Sequence, residues 1–123
     1  MKRILIVDDA ATVRMYHRNI LEEAGYAVDE AVNGIEALEK ALQTVYDLYV
    51  VDINMPKLDG YGFLKQIRSQ EVEQTPAIMV STEADDDDRK RAYGAGANFY
   101  LIKPVKPENL LTYVRALLGE GGA

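Results

Sequence analysis

The chain has no cysteine. That excludes disulfide frameworks, thiol catalysis and cysteine-ligated metal sites, and leaves the redox compartment undecided. Basic residues are in deficit, with 14 Lys and Arg against 20 Asp and Glu and a formal net charge of -6. A general nucleic-acid binder needs a basic patch to neutralise phosphates, so that class is disfavoured. The same balance suits a protein that binds cations or docks on basic surfaces. Long apolar runs are missing too: nothing approaches the length of a membrane span. Met1-Lys2-Arg3 followed by Ile4 to Val7 begins like a signal peptide, but the run is short and stops at Asp8-Asp9. The expected location is cytoplasmic. Repeats, low-complexity tracts and linkers are absent, and only Gly119 to Ala123 reads as a tail.

What is present is core material. Hydrophobic residues make up 48% of 123 positions, enough for one domain that buries roughly two-thirds of its unfolded surface. The most informative stretch is Leu48 to Val51, apolar on both faces, ending on Asp52 and followed by Asn54, Met55-Pro56 and Asp59-Gly60. A run of this kind suits a central strand of a parallel sheet covered by helices on both sides.

Taken in order, Lys2 to Val7 predicts a strand ending at Asp8-Asp9. Ala11, Val13, Met15, Ile20, Leu21 and Ala24 predict one side of a helix that Gly25 ends. Tyr26 to Ala31 predicts a second strand, the most polar and so an edge. Asn33-Gly34 signals a turn, and Ile35, Leu38 and Leu42 mark the next helix. After the third strand come a helix from Gly60 to Ser69, a strand from Ala77 to Val80 ending at Ser81, and a helix from about Asp86 to Tyr93. A strand from Asn98 to Ile102, Lys103-Pro104 and a helix from about Pro107 to Leu118 complete the chain. Strand and helix alternate five times, which predicts a doubly wound α/β fold with right-handed crossovers. Five strands in so short a chain favour the flavodoxin-like (βα)5 parallel sheet of order 2-1-3-4-5 over a Rossmann-like order.

In that order the crevice lies between strands one and three, beyond their carboxyl ends. Asp8, Asp9 and Asp52 therefore converge. Like charges at such range are costly unless a cation neutralises them, and hard oxygen ligands suit Mg²⁺. Strands four and five add Ser81 and Lys103 to the same edge. A hydroxyl and an ammonium beside a carboxylate and a divalent cation make a site for a phosphoryl group, with Asp52 attacking in line to give an acyl phosphate.

As a set, Asp8-Asp9, Asp52 with Met55-Pro56 and Asp59-Gly60, Ser81, and Lys103-Pro104 resemble the receiver domain of two-component response regulators. The resemblance covers about Lys2 to Leu118. It implies a stand-alone, CheY-like switch in residues 1-119, with 120-123 a disordered tail. In such domains the residue at Asp52 accepts phosphate from a phosphohistidine. The resemblance makes Asp9, Asp52 and the backbone carbonyl of Asn54 the Mg²⁺ ligands, with Asp8 acting through water. Lys103 pairs with the phosphoryl group, and its bond to Pro104 is usually cis. Ser81 matches the switch hydroxyl and Tyr100 the switch aromatic, which moves inward when the hydroxyl engages the phosphoryl group. Asn54 and Glu83 match rate-tuning positions, in a pairing seen in chemotaxis regulators. Thr82 departs from the usual small residue and is expected to narrow access to Asp52 for small donors. The implied partners are a histidine kinase or histidine phosphotransfer protein upstream and a protein target downstream, such as a flagellar motor switch. The target is controlled through the face of the fourth helix, fifth strand and fifth helix. The chain is expected to be a monomer or a weak dimer linked to phosphorylation, without nucleic-acid or membrane partners, and not a multiple-turnover enzyme.

Other readings fit less well. A phosphatase of the haloacid dehalogenase class places a second Asp two residues after its nucleophile, where this chain has Asn54. An FMN module needs a phosphate cradle after strand one, where Asp8-Asp9 would repel it. Asp85 to Asp88 open a helix, where acidic side chains favour the macrodipole, rather than forming a metal site. His17, alone on its helix, is read as a solvated or partly packed side chain.

Overall fold

The structure, a computed structural model, describes residues 1–119. The tail expected over 120–123 lies outside them. Five strands and five helices alternate: β1 (Arg3–Val7), α1 (Ala11–Glu23), β2 (Ala27–Ala31), α2 (Gly34–Gln43), β3 (Leu48–Asp52), α3 (Gly60–Arg68), β4 (Ala77–Ser81), α4 (Asp86–Ala95), β5 (Phe99–Ile102) and α5 (Pro107–Leu118). All pairings are parallel, in the order β2-β1-β3-β4-β5. The flavodoxin-like (βα)5 fold is thus as expected.

The sheet divides the core into two layers. On one side Ile4, Ile6, Val50, Ile78 and Val80 pack against Leu21 of α1 and Leu110 and Val114 of α5. On the other, Leu5, Val7, Val51 and Met79 pack against Ala37 and Ala41 of α2, Phe63, Leu64 and Ile67 of α3, and Ala92 and Ala95 of α4. Strands β3 and β4 are buried along their whole length. That explains their continuous apolar runs: alternate residues point to opposite, equally dry faces.

Two helix faces differ from the sequence expectation. Met15 is 62% exposed, and α1 instead buries His17 and Leu21, four residues apart on one face. Two residues before His17, Met15 lies about 200° round the helix from it and so points outward. On α2, Ile35 and Leu42 are exposed while Ala37 and Ala41 are buried. Alanine lets α2 approach the sheet closely, and the larger residues are left at its margins.

The loop after β3 is locked from two sides. A Cβ on Gly60 would lie 2.4 Å from the Asp52 carbonyl oxygen, and one on Gly34 2.2 Å from that of Leu58. Only glycine permits these approaches. Backbone hydrogen bonds from Gly60 N to Ile53 O and from Gly34 N to Leu58 O, both 2.9 Å, run through the same contacts. Asp59 caps α3, its side chain accepting from Gly62 N.

Candidate functional site

Strand register determines which side chains meet. Val7 pairs with Val51, so Asp8 leaves β1 at the level of Asp52. Asp52 pairs with Val80, so Ser81 ends β4 one residue beyond it, and Ser81 pairs with Ile102, so Lys103 leaves β5 just beyond. Ligand atoms of Asp8, Asp9 and Asp52 come within 4.8 Å of one another. Asp8 and Asp52 are buried, at 2% and 7% exposure, while Asp9 is exposed.

Lys103 is the counter-charge. Its Nζ donates to Asp8 Oδ2 and to Asp52 Oδ1, both at 3.0 Å. Burial pulls the ammonium's pKa down, but the hydrogen bonds and charges of Asp52 and Asp8 outweigh it, and the net shift is upward. Asp52 is also shifted upward, chiefly by burial; the Lys103 bond opposes this, and the Asp8 charge adds to it. The two directions are compatible because one ammonium is shared between two buried carboxylates. It is well satisfied by them, and neither has it alone. The set therefore carries excess negative charge, all of it on hard oxygen donors gathered in one place. Such a set fits a small divalent cation. Asp52 Oδ2 accepts no hydrogen bond among the described residues, so one oxygen of this carboxylate is available.

The remaining expected residues fall around this core. Ser81 is 1% exposed, and its Oγ accepts from the Glu83 backbone N–H at 3.0 Å. Tyr100 is buried, and its hydroxyl donates to the Glu83 carbonyl at 2.7 Å. Ser81 and Tyr100 are thus joined through the backbone of one residue. Asn54, Thr82 and the Glu83 side chain lie at the exposed rim. The Lys103–Pro104 bond is cis.

Several residues carry more than their sequence context signals. Arg89 lies over the Tyr100 ring at 5.1 Å and Arg91 over the Tyr61 ring at 4.2 Å, tying α4 to β5 and α3. His17, expected to be solvated or partly packed, is 3% exposed and lines a cavity of about 300 Å³ with Lys103, Pro104 and Thr82. Neither feature has a local motif. Asp85 to Asp88 open α4 as expected, with Asp86, Asp87 and Asp88 in its first turn.

The Response regulator receiver domain family model matches residues 4–115. Transcriptional regulatory protein ResD of Bacillus subtilis is 41% identical over 116 residues, covering 94% of this chain and 48% of ResD. Regulatory protein VanRB of Enterococcus faecalis is 38% identical over 121 residues, 98% of this chain and 54% of VanRB. The chain spans about half the length of the curated relatives it matches. Among solved structures, Vibrio cholerae chemotaxis protein CheY4 superposes with a TM-score of 0.90 at 36% identity, covering 96% of this chain and 99% of CheY4. The receiver domain of sensor histidine kinase PA1611 from Pseudomonas aeruginosa, with a magnesium ion coordinated in its active site cleft, gives 0.89 at 33% identity over 96% of this chain and 98% of its own. By profile, by relatives and by fold, the chain belongs to the response regulator receiver domain family of two-component signalling.

Proposed function

We propose that the chain is a phosphorylation switch in which Asp52 is the phosphoacceptor. The observation that carries this reading is the Asp52 carboxylate itself: buried, held through Oδ1 by Lys103, and open at Oδ2 beside two further carboxylates. Asp52 attacks the phosphorus of a phosphohistidine on a kinase or phosphotransfer protein. The P–N bond breaks, and the imidazole leaves with its electron pair and takes up a proton. Lys103 then neutralises an oxygen of the new acyl phosphate. Asp9, Asp52 and the Asn54 carbonyl would hold Mg²⁺, with Asp8 acting through water. Bound there, Mg²⁺ would supply positive charge to the transferring oxygens.

The response runs through Ser81. When its hydroxyl turns to donate to the phosphoryl group, the Glu83 N–H loses its acceptor, and the Glu83 carbonyl that anchors Tyr100 shifts with it. The α4–β5–α5 face then favours a second arrangement and a protein target. Asn54, Glu83 and Thr82 at the rim tune the rates. The likeness to CheY4, a chemotaxis protein, supports a chemotaxis-type role, for which a motor switch is the target we propose. The net charge of -6 supports a protein rather than nucleic-acid partner for this chain. Residues 1–119 act as the receiver unit in the cytoplasm, as a monomer or weak phosphorylation-linked dimer, without multiple turnover.

The test is intact mass after incubation with Mg²⁺ and a phosphoryl donor, either acetyl phosphate or a phosphorylated histidine phosphotransfer protein. One added phosphoryl group is expected, absent with chelator and absent in Asp52→Ala. No gain from either donor would remove Asp52 from this role.

A further inference from the structure

The loop that carries Asp8 and Asp9 is held from behind by a side chain that stands in an electrostatically poor place. Arg14 lies in the first turn of α1, where the helix dipole disfavours a cation. Its contacts account for the position. Arg14 Nη1 donates to the backbone carbonyl of Asp8 at 2.8 Å, and Nε donates to Glu30 Oε1 at 2.8 Å. Glu30 stands in β2, beside Ile6 of β1, and is itself gripped by its neighbours. Arg18 bonds its other carboxylate oxygen at 2.5 Å, and Lys40 of α2 donates to its backbone carbonyl. Arg14 is thus one link between a fixed point on the sheet edge and the Asp8–Asp9 peptide.

That peptide matters because it is planar. Holding the Asp8 carbonyl sets the plane from which the Asp9 backbone departs, and so the direction in which the Asp9 carboxylate can point. The other groups of Asp8 are also committed: its N–H to Ala31 O at 3.1 Å, Oδ1 to Ala10 N at 2.9 Å and Oδ2 to Lys103. Three carboxylates this close repel. The softest way to relieve the repulsion is to rotate the loop and swing the exposed Asp9 away. We propose that Arg14, braced by Glu30, is a positioning residue for the divalent cation, holding the Asp8–Asp9 peptide so that both carboxylates stay turned toward Asp52. This rests on the reading of that cluster as a Mg²⁺ site. The guanidinium suits the task because its rigid fork serves two acceptors at set directions, which an ammonium does not reproduce.

The experiment is calorimetric titration of Mg²⁺ into the full chain for wild type, Arg14→Ala, Arg14→Lys and Glu30→Gln, with unfolding temperatures recorded in chelator. Arg14→Ala is expected to weaken Mg²⁺ binding on the order of 10-fold, as losing a partner of a metal ligand typically does. Arg14→Lys should recover little of it, and Glu30→Gln should fall in between. Adding Glu30→Gln to Arg14→Ala should weaken binding no further, because Glu30 acts through Arg14. A purely structural arginine would lower the unfolding temperature and leave the Mg²⁺ dissociation constant unchanged. That result, with wild type binding normally, overturns the positioning role alone. No Mg²⁺ binding by wild type would overturn the metal reading itself. Should Arg14→Ala fail to fold, Glu30→Gln, which keeps the shape of the brace, carries the same comparison.

Discussion

At Asp52 burial opposes ionisation, and the single ammonium of Lys103, shared with Asp8, only partly offsets it. An acid whose folded pKa lies above its unfolded value loses stability as pH rises through that window. In chelator, Asp52→Asn is therefore expected to stabilise the chain at neutral pH by about 1 kcal/mol, an unfolding temperature about 3–5 °C higher. The gain should shrink as pH falls through the folded pKa and vanish below the ordinary carboxylate range, where Asp52 is protonated in both states. Thermal unfolding at two pH values checks it; a lower unfolding temperature for the variant at neutral pH would mean that the Lys103 pairing dominates. His17 has the opposite sign. Burial lowers its pKa, the Asp8 charge partly opposes this, and Lys103 reinforces it. A depressed histidine contributes stability above its unfolded pKa and loses it as pH falls below. Between about pH 7.5 and about pH 5.5 the wild type should lose more stability than His17→Leu, measured by urea unfolding.

Among the helices, α4 has the thinnest apolar anchorage: it buries only Ala92 and Ala95 and leans on the arginine–tyrosine stacks at Tyr100 and Tyr61. A segment so held opens readily. Tyr100→Ala removes one stack and the partner of the Glu83 carbonyl together. It should leave phosphorylation of Asp52 intact, speed hydrogen exchange in α4 and abolish target affinity; unchanged target binding would remove Tyr100 from the switch. The β3–α3 loop is the rigid counterpart. Gly60→Ala would press a methyl group against the Asp52 carbonyl, costing about 1–3 kcal/mol by urea unfolding.

Over the whole molecule, each face of the sheet depends on its own helices, and among the described residues α1 and α5 are the helices that cover the face lined by Ile4, Ile6, Val50, Ile78 and Val80. Leu110 and Val114 of α5 are fully buried, and burying side chains of this kind is worth roughly 1.5–3 kcal/mol each. Together with the apolar sheet surface uncovered, that rivals the whole net stability of about 5–15 kcal/mol. Ending the chain at Lys106 should therefore abolish cooperative unfolding by circular dichroism. A truncated chain with a sharp, wild-type-like transition would show that α1 covers this face alone.

The order of elements and the side chains at the strand ends were legible in the chain, because the inner strands need unbroken apolar runs and a polar residue marks where β1, β3, β4 and β5 stop, while the half-polar β2 was legible as an edge. The parallel arrangement follows from the same alternation, and the register that the packed sheet adopts brings Asp8, Asp52, Ser81 and Lys103 to one edge. Which face of a helix is buried was less legible. The α1 and α2 patterns contain more apolar residues than one stripe needs, so Met15, Ile35 and Leu42 were free to lie outside once His17 and the alanines fitted better inside. The bracing of Arg14 by Glu30 and the stacking of Arg89 on Tyr100 have no local signature at all. Each joins residues far apart in sequence, and only the packing of helix against sheet decides that they touch.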